Sequence, residues 1–434
     1  ARGMGFRERS EGEMPERERL VMEAYRSAAH GLALVDPVGS AALHARHLLL
    51  ALESGDPLSL SMGLGNEAFQ RAVFLGARGS AETFALLTRS IELAERAGNP
   101  YARDAHDLCA GLIAALRGDV RRAAPLLRKS LSALSHHSGE NWMPIEVGRT
   151  RFLMSLWMLG DLDELSATLS EQLGATRDPG NVYSEIMLRL TSGVLSELAG
   201  DRPEGAREMR RIARERWPRE GYAPQDFWML LAGVAIELYA GQPRSALEAM
   251  LRAFPRLLRS GLLAAPFFQA DMAQWRGLAA VSAAAGERGS FWLLRLVERD
   301  ARALERNESV VWAAPFSGVL RAAMAALTGK PQQAISRLVE AEEGLTACGC
   351  PLWAWSARRV RGELSKGEGG GALISEADAW LTARGVQSPA RLSAMLTGIR
   401  GVNGAHLEGT SDGPTTFRGY RSSLRSGRPR PGAL

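Results

Sequence analysis

Cysteine is scarce: Cys109, Cys348 and Cys350 are the only three in 434 residues. Three thiols make no disulfide framework, and the count fits a reducing compartment. Long apolar runs are missing too. The most apolar stretch, Phe227 to Tyr239, is broken by Glu237 and is too short to span a bilayer, so no membrane partner is expected. A secretory leader is not legible either. The first residues carry Arg7, Glu8, Arg9, Glu11, Glu13, Glu16, Arg17, Glu18 and Arg19 where such a leader needs an apolar core. Strand signals are nearly absent: Val and Ile are sparse beside Ala, Leu, Glu and Arg, and no segment alternates cleanly with period two. The expectation is an all-α, cytoplasmic chain. Ala1 standing ahead of the first methionine, Met4, fits a piece of a longer one.

The motifs of the common catalytic classes are lacking as well. A phosphate-binding loop needs Gly-x4-Gly-Lys-Ser/Thr. Here Gly329-Lys330 is followed by Pro331, and position 324 is Met, so the phrase reads as a helix turn. No His-Arg-Asp catalytic loop, Asp-Phe-Gly or Gly-rich kinase loop is present. Neither a kinase nor a P-loop ATPase domain is expected inside the chain, and no cofactor or catalytic residue is assigned. His44 and His47 lie three apart on one predicted helix face, without His-Glu-x-x-His or an acidic residue at ligand spacing. They read as packing or surface histidines, and no metal is expected. His136-His137 reads as loop. Cys348-Gly349-Cys350 reads as a loop before Pro351, with a redox pair as the lesser alternative.

What is present is helical periodicity. Apolar residues make up 46% of the chain and charged ones 23%, enough to bury a core. The net charge is +5, but Arg418, Arg421, Arg425, Arg428 and Arg430 fall in the last seventeen residues. The body is therefore close to neutral, and nucleic acid is not an expected partner. After Ser80, the residues Phe84, Leu87, Ile91 and Ala94 share one face, and Gly98, Asn99 and Pro100 stop that helix. Helix-ending phrases then recur, with turn glycines at Gly118, Gly160, Gly200, Gly241, Gly286 and Gly329, stepping by 42, 40, 41, 45 and 43 residues. Glycine takes the left-handed conformation that ends a helix, and an Asp after it can cap the next one. Between them run Pro100, Pro144, Pro179, Pro224, Pro266, Pro315 and Pro351, suited to first helical turns.

A helix pair of about 42 residues cannot bury its apolar face alone, so neighbours must stack. The expected fold is a right-handed superhelical solenoid of antiparallel helix pairs. The phrasing resembles tetratricopeptide repeats, with Ala123, Ala206, Ala246 and Ala334 following their turns, although the usual repeat is ~34 residues. The expected organisation is a charged lead over 1–19, an N-terminal helical cap over 20–99, repeats over 100–400 and a disordered basic tail over 401–434.

Ten tryptophans are many for such an array. Trp142, Trp228, Trp275, Trp312, Trp353 and Trp355 fall in or near first helices, which usually line the concave side. With Arg358 and Arg359 they form a candidate partner-binding groove for a protein or peptide, since Trp and Arg are favoured anchors. Packing between helices is the competing reading.

Two stretches carry a family resemblance. Gly31-Leu32-Ala33-Leu34-Val35-Asp36-Pro37, with His44-Ala45-Arg46-His47-Leu48-Leu49-Leu50-Ala51-Leu52-Glu53-Ser54-Gly55-Asp56-Pro57, resembles the segment that opens the repeat region of multidomain serine/threonine protein kinases typical of myxobacteria. Trp380-Leu381-Thr382-Ala383-Arg384-Gly385-Val386-Gln387-Ser388-Pro389-Ala390-Arg391-Leu392-Ser393-Ala394-Met395-Leu396 resembles their close. The resemblance spans roughly residues 20–400. It implies a C-terminal regulatory region, downstream of a kinase domain and an ATPase-like segment, acting as a non-catalytic interaction and sensory scaffold; the kinase domain of a parent polypeptide is then a possible partner. The alternative is the repeat region of an ATPase-type transcription regulator. That class ends in a DNA-binding helix pair, which the C-terminal residues here lack.

Overall fold

Proline, aspartate and glycine punctuate the chain, and the helices obey them. The computed structural model describes residues 5–7, 14–33, 36–135, 142–175, 182–217, 222–286, 291–365 and 367–400, without the side chains of Pro37 and Trp142. The expected tail, His136, His137 and Pro179 lie outside the described residues. Those residues form helices and no strand. In order they are α1 (Glu16–Leu32), α2 (Pro37–Ser54), α3 (Pro57–Leu75), α4 (Ser80–Arg96), α5 (Pro100–Leu116), α6 (Val120–Leu134), α7 (Trp142–Leu159) and α8 (Leu162–Ala175). Then α9 (Val182–Leu188) passes through one π turn (Arg189–Gly193) into α10 (Val194–Ala199), followed by α11 (Pro203–Arg216), α12 (Pro224–Tyr239) and α13 (Pro243–Arg259). The last are α14 (Pro266–Ala284), α15 (Phe291–Glu305), α16 (Ala313–Leu327), α17 (Pro331–Ala347), α18 (Pro351–Leu364), α19 (Glu368–Thr382) and α20 (Pro389–Thr397). Helices pack consecutively as hairpins: α3 on α4, α5 on α6, α14 on α15, α16 on α17, α18 on α19.

Each hairpin has an inner and an outer helix, and their compositions differ for that reason. Inner α14 buries Phe268, Ala270, Met272, Ala273, Leu278, Ala279 and Val281 around most of its circumference. Outer α13 buries one stripe only, Ala246, Leu247, Met250, Leu251 and Leu257. A helix covered on all sides must be apolar all round, and one facing water needs a single stripe.

The ends follow local chemistry. Asp56 accepts from Ser59 N at 2.8 Å, Asn99 from Tyr101 N at 3.0 Å and Asp119 from Arg122 N at 3.3 Å. Each satisfies a donor that the first helical turn leaves free. Gly118, Gly160, Gly241 and Gly329 sit at φ 72°, 75°, 80° and 73°. Gly200 departs from the series. There Asp201 takes the left-handed conformation, at φ 54°, and caps nothing. Its carboxylate accepts from Tyr239 Oη at 2.7 Å and from Arg391. The N-cap position of α11 falls on Arg202, so Asp201 lies one residue too early to cap and its carboxylate serves these tertiary bonds.

The stack also returns on itself, which a nearest-neighbour array does not do. Val311 N donates to Arg117 O at 2.9 Å, Ala77 N to Ser309 Oγ at 2.8 Å, Arg121 to Thr346 O at 2.8 Å and Gln387 N to Ala199 O at 2.9 Å. The turns of the early hairpins are thus clasped by later ones. Gly118 shows how closely: a Cβ there would stand 2.4 Å from Trp312 Cδ1. Replacing Gly118 by Ala should therefore cost about 2–4 kcal/mol, adding overpacking to the left-handed penalty. Gly329, with similar φ and nothing within 4 Å of its Cβ position, should cost only ~1–2 kcal/mol. The urea midpoints of the two variants measure the difference, which belongs to the closure; equal midpoints would deny it.

Candidate functional site: an interior cavity among the first helices

Four of the tryptophans singled out by the sequence converge. Trp228 from α12, Trp275 from α14, Trp312 before α16 and Trp353 from α18 line one interior cavity, together with Trp157 from α7. About 90 Å³ of it is open to the centre of a water molecule. One water needs ~10–15 Å³ by this measure, so the space suits a small organic molecule or a water cluster. The walls are aromatic, thioether and aliphatic: Trp312 and Trp353 pack edge to face at 5.2 Å, and Met154, Met158, Phe267, Leu116 and Leu231 are among the other lining residues. The π turn Arg189–Gly193 contributes Leu190 and Thr191. Such turns often mark places where a helix is re-aimed for function.

Two charges stand inside these apolar walls. Arg151 of α7 lies over the rings of Phe267 at 4.9 Å and Trp228 at 5.6 Å, and its Nη1 approaches Met154 Sδ at 3.9 Å. Among the described residues no carboxylate lies within 4.0 Å of its guanidinium. Burial lowers its pKa, opposed by the charge of Asp271. Burial pushes the Asp271 carboxyl up to about 7, opposed by Arg151. Asp271 is thus poised between acceptor and donor at neutral pH. Two further donors face no partner: Gln274 Nε2 and Trp353 Nε1, both in buried side chains. Two unpartnered buried donors, a guanidinium bonded only to a thioether, and one carboxyl in a largely apolar box are groups that could hold an acceptor-rich molecule. Arg151, Asp271 and Gln274 escaped sequence reasoning. The available signal was a charged residue within an otherwise apolar inner helix, since a polar group there must answer to something buried.

The remaining groove candidates lie elsewhere. The Trp142 side chain is outside the described residues. Trp355 stacks on Trp380 at 5.4 Å, with Arg358 over the first ring at 4.5 Å and Arg384 over the second at 3.8 Å. A Cβ on Gly160 would meet Trp380 at 2.8 Å, so this stack is part of the closure. Arg358 pairs with Glu342 at 2.6 Å and Glu376 at 2.9 Å, and Arg359 pairs with Asp378 at 2.6 Å and with Glu363. Their charge is spent on the flanking helices α17 and α19 and, through Glu363, within α18.

A second interior space lies between α1 and α7, lined by His30, His44, Asn66, Tyr101, His106 and Cys109 among others. It holds no ion pair. His44 and His47 are buried between helices, and His30 tilts on His44 at 5.2 Å. The Cys109 thiol donates to Gly65 O at 3.0 Å, and burial raises its pKa to about 12, so it is a poor nucleophile at neutral pH. Cys348 and Cys350 Sγ stand 3.8 Å apart as free thiols. No helix among the described residues is long and apolar enough to cross a membrane. No family model matches the chain, and no curated protein matches it.

Proposed function

We propose that this chain is a non-catalytic protein-interaction and sensory scaffold, the regulatory C-terminal region of a cytoplasmic bacterial serine/threonine protein kinase in signal transduction. The observation that carries the sensory reading is the convergence of inner helices from successive hairpins on one shared cavity. A molecule held there touches α7, α12, α14 and α18 at once, so its binding reads out over much of the stack. The kinase assignment rests on the resemblance of residues 31–57 and 380–396. A tetratricopeptide-like superhelix is supported by spacing: inner helices begin at residues 100, 142, 182, 224, 266, 313 and 351, in steps of 42, 40, 42, 42, 47 and 38.

The test is the reading frame upstream of Ala1, followed by an activity assay. A kinase domain carrying His-Arg-Asp and Asp-Phe-Gly is expected in frame, and adding this chain in trans should change that kinase's autophosphorylation rate. A frame without kinase motifs, or a kinase indifferent to the chain, refutes the assignment. A helix-turn-helix in frame downstream would instead favour the transcription-regulator alternative.

A further inference from the structure

The cavity's unsatisfied groups specify a ligand chemistry. Arg151 brings a planar fork of N–H donors that, among the described residues, makes no ion pair within 4.0 Å, Asp271 acting on it only from farther away. A buried guanidinium without an anion is costly, and a carboxylate engages it through two parallel hydrogen bonds. Gln274 is 2% exposed and its Nε2 has no acceptor; Trp353 is 8% exposed and its Nε1 has none. All three groups donate. Among the lining groups that can accept from a ligand N–H or O–H, the carboxyl of Asp271 is the only one that can carry a negative charge. Between them the surface is mostly indole, phenyl, thioether and aliphatic, which favours an apolar body.

We infer that the central cavity binds a small organic acid, whose carboxylate sits on Arg151, whose apolar body lies among Trp228, Trp275, Trp312 and Trp353, and whose N–H or O–H group, where present, reaches Asp271. Amino acids and hydroxy acids with aromatic or branched side chains have this layout. The arrangement discriminates against amines without an acid, which would bring a second cation beside Arg151. It also discriminates against purely apolar molecules, which would leave the guanidinium, Gln274 and Trp353 without acceptors. The inference concerns this chain alone and does not rest on the kinase assignment.

The experiment is calorimetric titration of the full chain with indole-3-acetate, L-tryptophan, L-phenylalanine and hexanoate, beside the amines tryptamine and hexylamine, with intrinsic tryptophan fluorescence recorded in parallel. At least one acid is expected to bind saturably and to perturb the fluorescence, while its amine counterpart does not. Arg151→Met should weaken that acid by about tenfold or more, the scale of a lost charge-assisted pair. Arg151→Lys, which keeps the charge without the fork, should fall between Met and the parent. Asp271→Asn should weaken L-tryptophan more than indole-3-acetate, because only the former has an ammonium to place there. Circular dichroism reports whether each variant is folded; if Arg151→Met is not, the Lys and Asn variants decide. The inference is overturned if no acid binds at millimolar concentration, if the amines bind as well as the acids, or if folded Arg151 and Asp271 variants bind like the parent.

Discussion

Replacing Asp300 with alanine should destabilise the protein by about 3–5 kcal/mol, the cost of stranding a buried charge. Asp300 is fully buried on α15, and Arg276 on α14 is nearly so. The guanidinium meets the carboxylate with two bonds, Nε to Oδ2 at 3.0 Å and Nη2 to Oδ1, while its face lies over Phe254 at 4.7 Å. Burial pushes the Asp300 carboxyl above its ordinary pKa, and Arg276 pulls it back without fully compensating. The pair is therefore a poor net stabiliser and a strong constraint. Alanine leaves Arg276 charged and buried without the carboxylate that both of these bonds reach. The matched double change, Arg276→Met with Asp300→Leu, removes both desolvation costs, and it should recover most of the loss. Urea denaturation of the three variants tests this. A single change costing less than about 1 kcal/mol would mean that water reaches the pair. The damage should also reach the cavity, because α14 carries Phe267, Asp271, Gln274 and Trp275 into it. Gly277 lies so close to α16 that a Cβ there would stand 2.6 Å from Leu320 Cδ1, leaving α14 little room to adjust.

Helix starts and stops were legible in the sequence; this buried pair and the way the molecule closes were not. Proline opening α5, α12, α14 and α18, Asp56 and Asp119 capping their helices, and glycine ending them are properties of a few adjacent residues, and they act wherever the phrase occurs. The inner helices were likewise visible as apolar segments rich in tryptophan. Their convergence depends on contacts between residues far apart in the chain, such as Arg117 with Val311 and Ala199 with Gln387. A repeat period speaks only of neighbours and is silent on where the array comes back. For the same reason Trp312 and Trp355 looked equivalent on spacing. One became a cavity wall, and the other one half of a stacked pair sealing the turn at Gly160. Asp201 reads as a cap by sequence and serves as a tertiary acceptor, because the capping position of α11 falls one residue later, on Arg202.

The N-terminal helices should come apart in mild acid, well before the carboxylates that usually govern acid unfolding are protonated. Burial lowers the pKa of His30 to about 3, with the neighbouring His44 and Arg26 adding to it, and lowers His44 and His47 to about 4, with Arg26 again contributing. Nδ1 of each ring is buried without a partner. Arg26 is a charged group acting on this cluster, and it pairs with Glu23 at 3.3 Å, while Asn66 offers His30 a hydrogen bond. In the unfolded chain each imidazole titrates near ~6.5. Between that value and the folded values the unfolded state binds more protons, so stability must fall as the pH falls. Each histidine contributes a slope of roughly 1.4 kcal/mol per pH unit, and three together roughly 4. The cluster of Met22, Leu48, Leu52, Leu60, Leu64 and Leu93 that holds α1 to α4 together is modest, and it should yield first. Hydrogen exchange followed from pH 7 to 4.5 should show α1–α3 losing protection near pH 5 while α12–α16 keep theirs. Replacing His44 or His47 with Gln, which cannot take a proton, should flatten the profile by about one histidine's share. A profile unchanged by either replacement would mean that these imidazoles accept protons in the folded state, with Glu23 near enough to stabilise them.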